Sequence, residues 1–276
     1  MRAIFELNEI GFQYTDTQKA LSGINLTVRE GEILSVVGSN GSGKSTLLHL
    51  MCGLIYPTEG SIAYKGMEFQ EKSFKKAAFN REFRSSIGFV FQNSDAQLFC
   101  PTVFDELIFG PLQLGYPKDL AVERANEVVQ MLHLQGYTDR PSYMLSSGEK
   151  KRVAIGAVLA TNPEVLIFDE PMSGLDPKTR SFIIDLIFEL NQIGKTIIVA
   201  THHLDLVDYL KSRVVVLSER HTIEKMGSSD EILSDTDLLI KANLIAEFSH
   251  RHNGTVHKHL SLGFLSHKHE QIRKKN

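Results

Sequence analysis

A chain of 276 residues, 42% hydrophobic and 23% charged, can bury a substantial core and has an ordinary globular balance. Its net charge of -3, with histidines neutral, does not point to nucleic acid as a partner. No run reaches the roughly 18 apolar residues of a membrane helix, and Met1 to Glu6 lack the apolar stretch of a secretory signal.

In chain order, Ala3 to Phe12 and Ile24 to Val28 mix apolar and polar positions as strands do, with a turn at Thr15-Asp16-Thr17 between them. Ile33 to Val37 is a short apolar run suited to a strand buried on both faces. A glycine-rich segment follows, and Thr46 to Met51 reads as a helix. The stretch from Lys65 to Arg84 is locally basic and reads as a solvated outer face. Ala125, Val128, Val129 and Leu132 match a helix with one buried face, as do Phe182, Ile183, Leu186, Ile187 and Leu190. Between and after these lie strands at Glu164 to Phe168, Lys195 to Ala200 and Arg213 to Leu217. Strands alternating with helices imply an α/β fold with parallel strands and crossovers, joined here to an antiparallel β layer and a helical insert. Cys52 and Cys100, far apart and in no metal-ligand spacing, read as small hydrophobes in a reducing setting.

Two segments carry phosphate chemistry. Gly38-Ser39-Asn40-Gly41-Ser42-Gly43-Lys44-Ser45-Thr46 is a P-loop, with an apolar strand before it and a helix after it. Its glycines let backbone N–H groups wrap phosphates, and the helix that follows aims its positive end at the same anion. Lys44 is expected to bridge the β- and γ-phosphates, with the Ser45 hydroxyl on Mg²⁺. The run Val165-Leu166-Ile167-Phe168-Asp169-Glu170 places two carboxylates at the C-terminal end of a buried strand, where open parallel sheets bind ligands. Asp169 is expected to hold Mg²⁺ through water and Glu170 to orient the attacking water.

A third segment separates this chain from other P-loop proteins. Leu145-Ser146-Ser147-Gly148-Glu149-Lys150-Lys151-Arg152 resembles the signature of ATP-binding cassette (ABC) transporter ATPase subunits, over roughly residues 1–230. Ser147 stands where that family commonly has glycine and Glu149 where it has glutamine; Ser146 and Gly148, the expected phosphate contacts, are intact. The resemblance implies a P-loop NTPase cassette with a mixed or parallel core sheet, an antiparallel β subdomain and a helical subdomain at about 93–160. Residues 231–276 would form a C-terminal extension. It also implies that Tyr14 stacks on adenine, that Gln92 senses Mg²⁺ and the lytic water, and that His202, rather than His203, contacts the γ-phosphate. Ser173 to Asp176 matches the loop through which two copies communicate. The implied unit is two cassettes, this chain with itself or a paralogue, head to tail around two ATP molecules. It would lie on the cytoplasmic face of the membrane beside transmembrane coupling and substrate-binding subunits.

The segment from Phe91 to Phe99, with Thr102 to Glu106 and Phe109 to Pro111, resembles the energy-coupling factor branch, which takes up vitamins and transition metals. Asp95 and Phe99 are the implied contacts for a membrane subunit. Six of the 11 histidines form three His-x-His pairs, His250/His252, His257/His259 and His267/His269. In extended chain each pair shares a face, and imidazole suits nickel, cobalt, copper or zinc. The tail resembles those of the nickel/cobalt members of the branch, which implies a candidate site for Ni²⁺ or Co²⁺; it is equally a candidate solvated extension. A cassette serving another substrate shares every catalytic residue. A DNA- or ribosome-associated cassette is disfavoured by the modest spacing between P-loop and signature and by the single cassette, and a P-loop kinase by the signature itself.

Overall fold

The computed structural model describes residues 2–15, 17–245, 247–252 and 255–260, the last two spans as backbone. In chain order the elements are β1 (Ala3–Thr15), β2 (Gln18–Arg29), β3 (Ile33–Val37), α1 (Lys44–Met51), β4 (Glu59–Tyr64), β5 (Met67–Glu68), α2 (Ala77–Ser86) and β6 (Ile87–Val90). The helices α3 (Val103–Gln113), α4 (Lys118–Met131) and α5 (Ser147–Leu159) follow, then β7 (Val165–Asp169), α6 (Pro177–Gln192), β8 (Thr196–Thr201) and α7 (Leu204–Leu210). The chain goes on through β9 (Arg213–Leu217), β10 (Ile223–Ser228), α8 (Ser229–Ser234), α9 (Thr236–Lys241), β11 (Glu247–His252) and β12 (Thr255–Leu260).

The central sheet has the order β10-β9-β3-β8-β7-β6, parallel throughout except for β10 at one edge. Its middle strands are apolar on both faces because helices cover both. Leu34 and Val36 of β3 and Ile167 of β7 join a buried cluster with Leu47, Leu48 and Leu50 of α1 and the inner residues of β1 and β2. Leu166 and Phe168 of β7, and Ile197 and Val199 of β8, instead pack with α3, α4, α5 and α6. A second sheet, β2-β1-β4-β5, is antiparallel and closes over α1. Helices α8 and α9 share a third cluster with β9 and α7.

The chain departs from its sequence pattern in instructive places. Both N-terminal strands run longer than their alternation suggests, because the register of β1 on β2 carries several irregularities that scramble the period of two. Helix α1 starts at Lys44, two residues before the expected start. The Lys65 to Arg84 stretch is only half a solvated face. Lys72, Lys75, Lys76 and Arg81 are exposed, but Phe69 and Phe83 are fully buried and pack with Phe74 and Phe79, ring centroids 4.9 to 6.5 Å apart. Arg84 covers this cluster and donates to the carbonyls of Cys52 and Gly53, just past the end of α1. Cys52 is buried and Cys100 half-buried, both free thiols.

Candidate nucleotide site

Parallel strand order delivers the site. Strand β8 lies between β3 and β7, so the C-terminal ends of all three emerge on one edge, carrying Gly38, Asp169-Glu170 and Thr201-His202. The loop between β3 and α1 is tight. A side chain at Gly38 would meet Ser42 Oγ at 2.6 Å and the Leu217 carbonyl at 2.7 Å. Gly43, at φ 105° on the threshold of α1, would put a Cβ 2.4 Å from the Ala20 carbonyl. Only glycine meets both demands.

A cavity of about 460 Å³ opens above this loop and brings together Tyr14, Asn40, Lys44, Gln92, Glu170 and His202, with Gly41, Gly43, Ser45 and Thr46 also on its lining. Tyr14 is half exposed, its ring edge-on to Phe12 and its hydroxyl 3.1 Å from Thr46 Oγ1. Lys44 is buried and donates to the carbonyls of Gly38 at 2.8 Å and Ser39 at 3.1 Å. Burial holds its ammonium below the ordinary lysine range, against the pull of Glu170 and Asp169.

The two carboxylates differ. Asp169 is the last residue of β7, buried, with Oδ1 lacking any hydrogen-bond partner. Burial raises its carboxyl above the usual range, and the Ser45 hydroxyl works against that rise. An orphaned buried carboxylate oxygen beside a serine hydroxyl is an all-oxygen donor set, which fits Mg²⁺. Glu170 continues the ladder through its N–H to the Ala200 carbonyl at 2.9 Å, then turns into the left-handed region at φ 44°. Pro171 follows, and a residue before proline is already disfavoured in the right-handed helical region. That turn swings the buried Glu170 carboxylate to His202 Nδ1 at 2.8 Å and Thr201 Oγ1 at 3.3 Å, with Lys44 Nζ at 3.8 Å. His203 stacks against His202, centroids 4.3 Å apart, and burial followed by the neighbouring imidazole holds its pKa below the usual histidine value.

Gln92 is held in place from behind. The buried Lys151 of α5 donates to the carbonyls of Phe91 at 2.9 Å and Gln92 at 2.8 Å, while Gln97 bridges Phe91 N–H and the Ala154 carbonyl. Burial lowers the Lys151 pKa to about 8, with Asp169 opposing. Lys151→Met leaves two carbonyls unmatched, at about 1–3 kcal/mol each. The expected result is a loss of ATPase rate exceeding any change in KM for ATP, because the loop of Gln92 shifts while the P-loop stays. A folded Lys151 gives up its proton near 8 and an unfolded one near 10.5, so between those values the unfolded chain holds more protons. This group's contribution to stability therefore grows as pH rises through that window. Melting curves should show the gap between wild type and variant widening in favour of wild type above pH 8.

Ser146, Gly148 and Asp176 do not reach the cavity. Ser146 caps α5 in a capping box with Glu149, whose Oε2 accepts from Ser146 N–H at 2.7 Å and Ser146 Oγ at 2.8 Å. Those bonds, the backbone one foremost, hold the Glu149 carboxyl below its usual range. Asp176 caps α6 through Thr179, and a Cβ on Gly148 would touch that same threonine at 2.9 Å. Ser146, Gly148 and Asp176 thus form a second patch on this chain, off the cavity lining. The ABC transporter family matches residues 21–173.

The chain belongs to the ABC transporter family. As an ABC cassette it is an ATP-hydrolysing subunit, and no helix among the described residues is long and apolar enough to cross a membrane. The energy-coupling factor transporter ATP-binding protein EcfA of Methanocaldococcus jannaschii is 41% identical over 243 residues, 87% of this chain and 85% of that protein. The nickel import ATP-binding protein NikO of Rhodobacter capsulatus is 43% identical over 251 residues, 90% of this chain and 98% of that protein. The solved structure of cbiO1 from Clostridium perfringens, part of the ABC transporter complex cbiONQ, matches with TM-score 0.75 at 34% identity, covering 88% of this chain and 96% of that one. A dimeric ATP-binding cassette in a post-hydrolysis state, bound to ADP and phosphate, matches with TM-score 0.73 at 28% identity, over 82% of this chain and 99% of that one.

Within this ABC cassette the cavity also includes Gln18 and Ser173, which no motif reading singled out as ligands. Gln18 opens β2, paired with Thr15 across the β1–β2 turn, so it enters the site through strand register rather than through a recognisable pattern. Asp95, an implied membrane-subunit contact, is ion-paired with Lys150 at 2.6 Å, and Phe99 is 68% exposed against Phe109.

Proposed function

We propose that two such cassettes, this chain with itself or with a paralogue, close head to tail on ATP and drive an energy-coupling factor importer for nickel or cobalt. The observation that carries the dimer is this separation: one chain holds a phosphate cavity and, apart from it, the helix tip of α5, with Ser146 exposed and Gly148 buried behind it. A helix N-terminus is an anion site, filled within one chain by the Glu149 carboxylate of its own capping box. The dimeric cassette among its structural relatives supports the same assembly. In this reading the Gly38–Thr46 loop grips the phosphates, Lys44 turns from its carbonyls to the β- and γ-oxygens, and Tyr14 stacks on the base. Ser45, Gln92 and Asp169 would hold Mg²⁺, which when bound would supply positive charge against the phosphates. Glu170 polarises the attacking water, His202 contacts the γ-phosphate, and Asp176 lies at the seam between the two copies. Loss of the γ-phosphate removes the contact that holds Ser146 and Gly148 across that seam, and the halves part.

Glu149 bears on that seam. Its charge sits on the helix tip that is to receive a phosphate, so Glu149→Gln should strengthen ATP-driven dimerisation severalfold. Sizing chromatography with ATP in a Glu170→Gln background would read it; unchanged dimerisation would place the phosphate elsewhere.

The cargo reading rests on the nickel import relative, on the likeness to cbiO1 and on the tail. Strands β11 and β12 pair so that His250 lies directly opposite His257, Phe248 opposite His259 and His252 opposite Thr255. All four positions therefore fall on one face, with His250 and His257 in direct register across the strands. His267 and His269 lie outside the described residues. Calorimetric titration of the full chain should show Ni²⁺ or Co²⁺ binding that weakens at least tenfold when His250 and His257 become serine, with metal-free ATPase rate unchanged. Phe99 and Asp95 lie where the coupling subunit is to dock. The decisive experiment is ATP-dependent uptake of Ni²⁺ or Co²⁺ by vesicles carrying the chain with its membrane subunits; uptake of a vitamin instead would refute the cargo and keep the cassette.

A further inference from the structure

We propose that the mouth of the catalytic cavity is itself an inhibitory transition-metal site, built from Glu170, His202 and His203. One ligating atom from each of the three lies within 4.8 Å of the others. Glu170 Oε1 and His202 Nδ1, at 2.8 Å, already have the spacing of two ligands on one ion. His203 follows directly at the end of β8, half-buried, its ring stacked on that of His202 and its N–H accepted by Thr201 Oγ1 at 3.0 Å. One carboxylate with two imidazoles is a facial donor set for a divalent first-row ion such as Ni²⁺, Co²⁺ or Zn²⁺, leaving further positions for water. Mg²⁺ prefers oxygen ligands and does not compete well for it. The Lys44 ammonium, 3.8 Å from the same Glu170 oxygen, is anchored on the carbonyls of Gly38 and Ser39, so a second cation enters without displacing it.

The proposed reaction needs both groups this ion would take. An ion bound here occupies the Glu170 oxygen meant for water and the His202 nitrogen meant for the γ-phosphate. ATP and the ion therefore exclude one another, and hydrolysis stops when free metal rises. The inference rests on the ATPase reading of this cavity and not on the identity of the cargo.

His203 is the handle, because the mechanism assigns it no step. In the full chain, Ni²⁺ and Co²⁺ should inhibit ATP hydrolysis at saturating Mg²⁺ with ATP held at or below its KM, and rising ATP should relieve the inhibition. His203→Asn should keep the metal-free rate and raise the half-inhibiting metal concentration at least tenfold. The tail also offers ligands, so the comparison is repeated with His250, His252, His257, His259, His267 and His269 replaced by serine. In that background, equilibrium dialysis should count one ion per chain, lost in His203→Asn, and the visible absorption of bound Co²⁺ should vanish on adding ATP. His203→Gln serves if the asparagine variant melts early. Equal inhibition and equal stoichiometry with and without His203 would overturn the site. A chain that hydrolyses ATP and imports some other substrate, yet shows this inhibition, would keep the site and refute only the cargo.

Discussion

Glu170→Gln is expected to retain ATP binding while turnover falls by about 10²–10³ or more, the usual cost of removing one preorganised group at a reacting centre. The argument is local. Glu170 is buried, and its backbone is held left-handed by the β7–β8 ladder on one side and Pro171 on the other, so the carboxylate has one direction open to it, into the cavity. Glutamine keeps that shape and can still meet Thr201 and His202, so the variant should fold and melt like wild type. It cannot accept a proton from water. Rapid-mix hydrolysis assays with a separate nucleotide-binding measurement divide the two effects. The variant should also accumulate as a closed, ATP-bound dimer on sizing chromatography. Wild-type turnover would show that another group orients the water, and the cavity would need a different base.

Gly43→Ala should be nearly as damaging, through the backbone instead. Its Cβ would lie 2.4 Å from the Ala20 carbonyl and 2.8 Å from Leu21 Cδ2, at a φ of 105° that side chains rarely adopt. Overpacking costs about 1–3 kcal/mol, and the left-handed conformation about 1–2 kcal/mol more. Relief requires the loop to move away from β2, which shifts the N–H groups that are to wrap phosphate. Two readouts are expected to change together: a melting temperature lowered by several degrees, and little or no further rise on adding Mg²⁺ and ATP. Gly41→Ala is the control. Gly41 shares a positive φ of 83° but has open space where its Cβ would go, so it should lose less of both. Equal loss in the two variants would mean that strain alone, and not the contact with β2, sets the loop.

Contiguous chemistry was legible from the residues. The P-loop, the Asp169-Glu170 pair, the signature and Thr201-His202 are each a few residues long, and each needs only the strand end or helix start beside it. Largely apolar runs likewise announced β3, β7 and β8, because strands buried on both faces carry few polar positions: Ser35 interrupts β3, and the polar residues of β7 and β8 stand at their ends. Where burial is one-sided or carried by aromatic rings inside a basic stretch, as at Phe69 and Phe83, the pattern was masked by the charges around it.

Sequence by itself determined that this chain handles nucleoside triphosphate, because phosphate is bound by backbone N–H groups whose path is set by glycines at fixed spacing. Only tertiary structure decided what surrounds that phosphate loop. It put Lys151 under the loop of Gln92, some sixty positions earlier, set His203 beside Glu170, brought in Gln18 through strand register, and chose His257 as the partner of His250. Such pairings depend on which strands and helices lie side by side, and local periodicity carries no record of a neighbour distant in the chain.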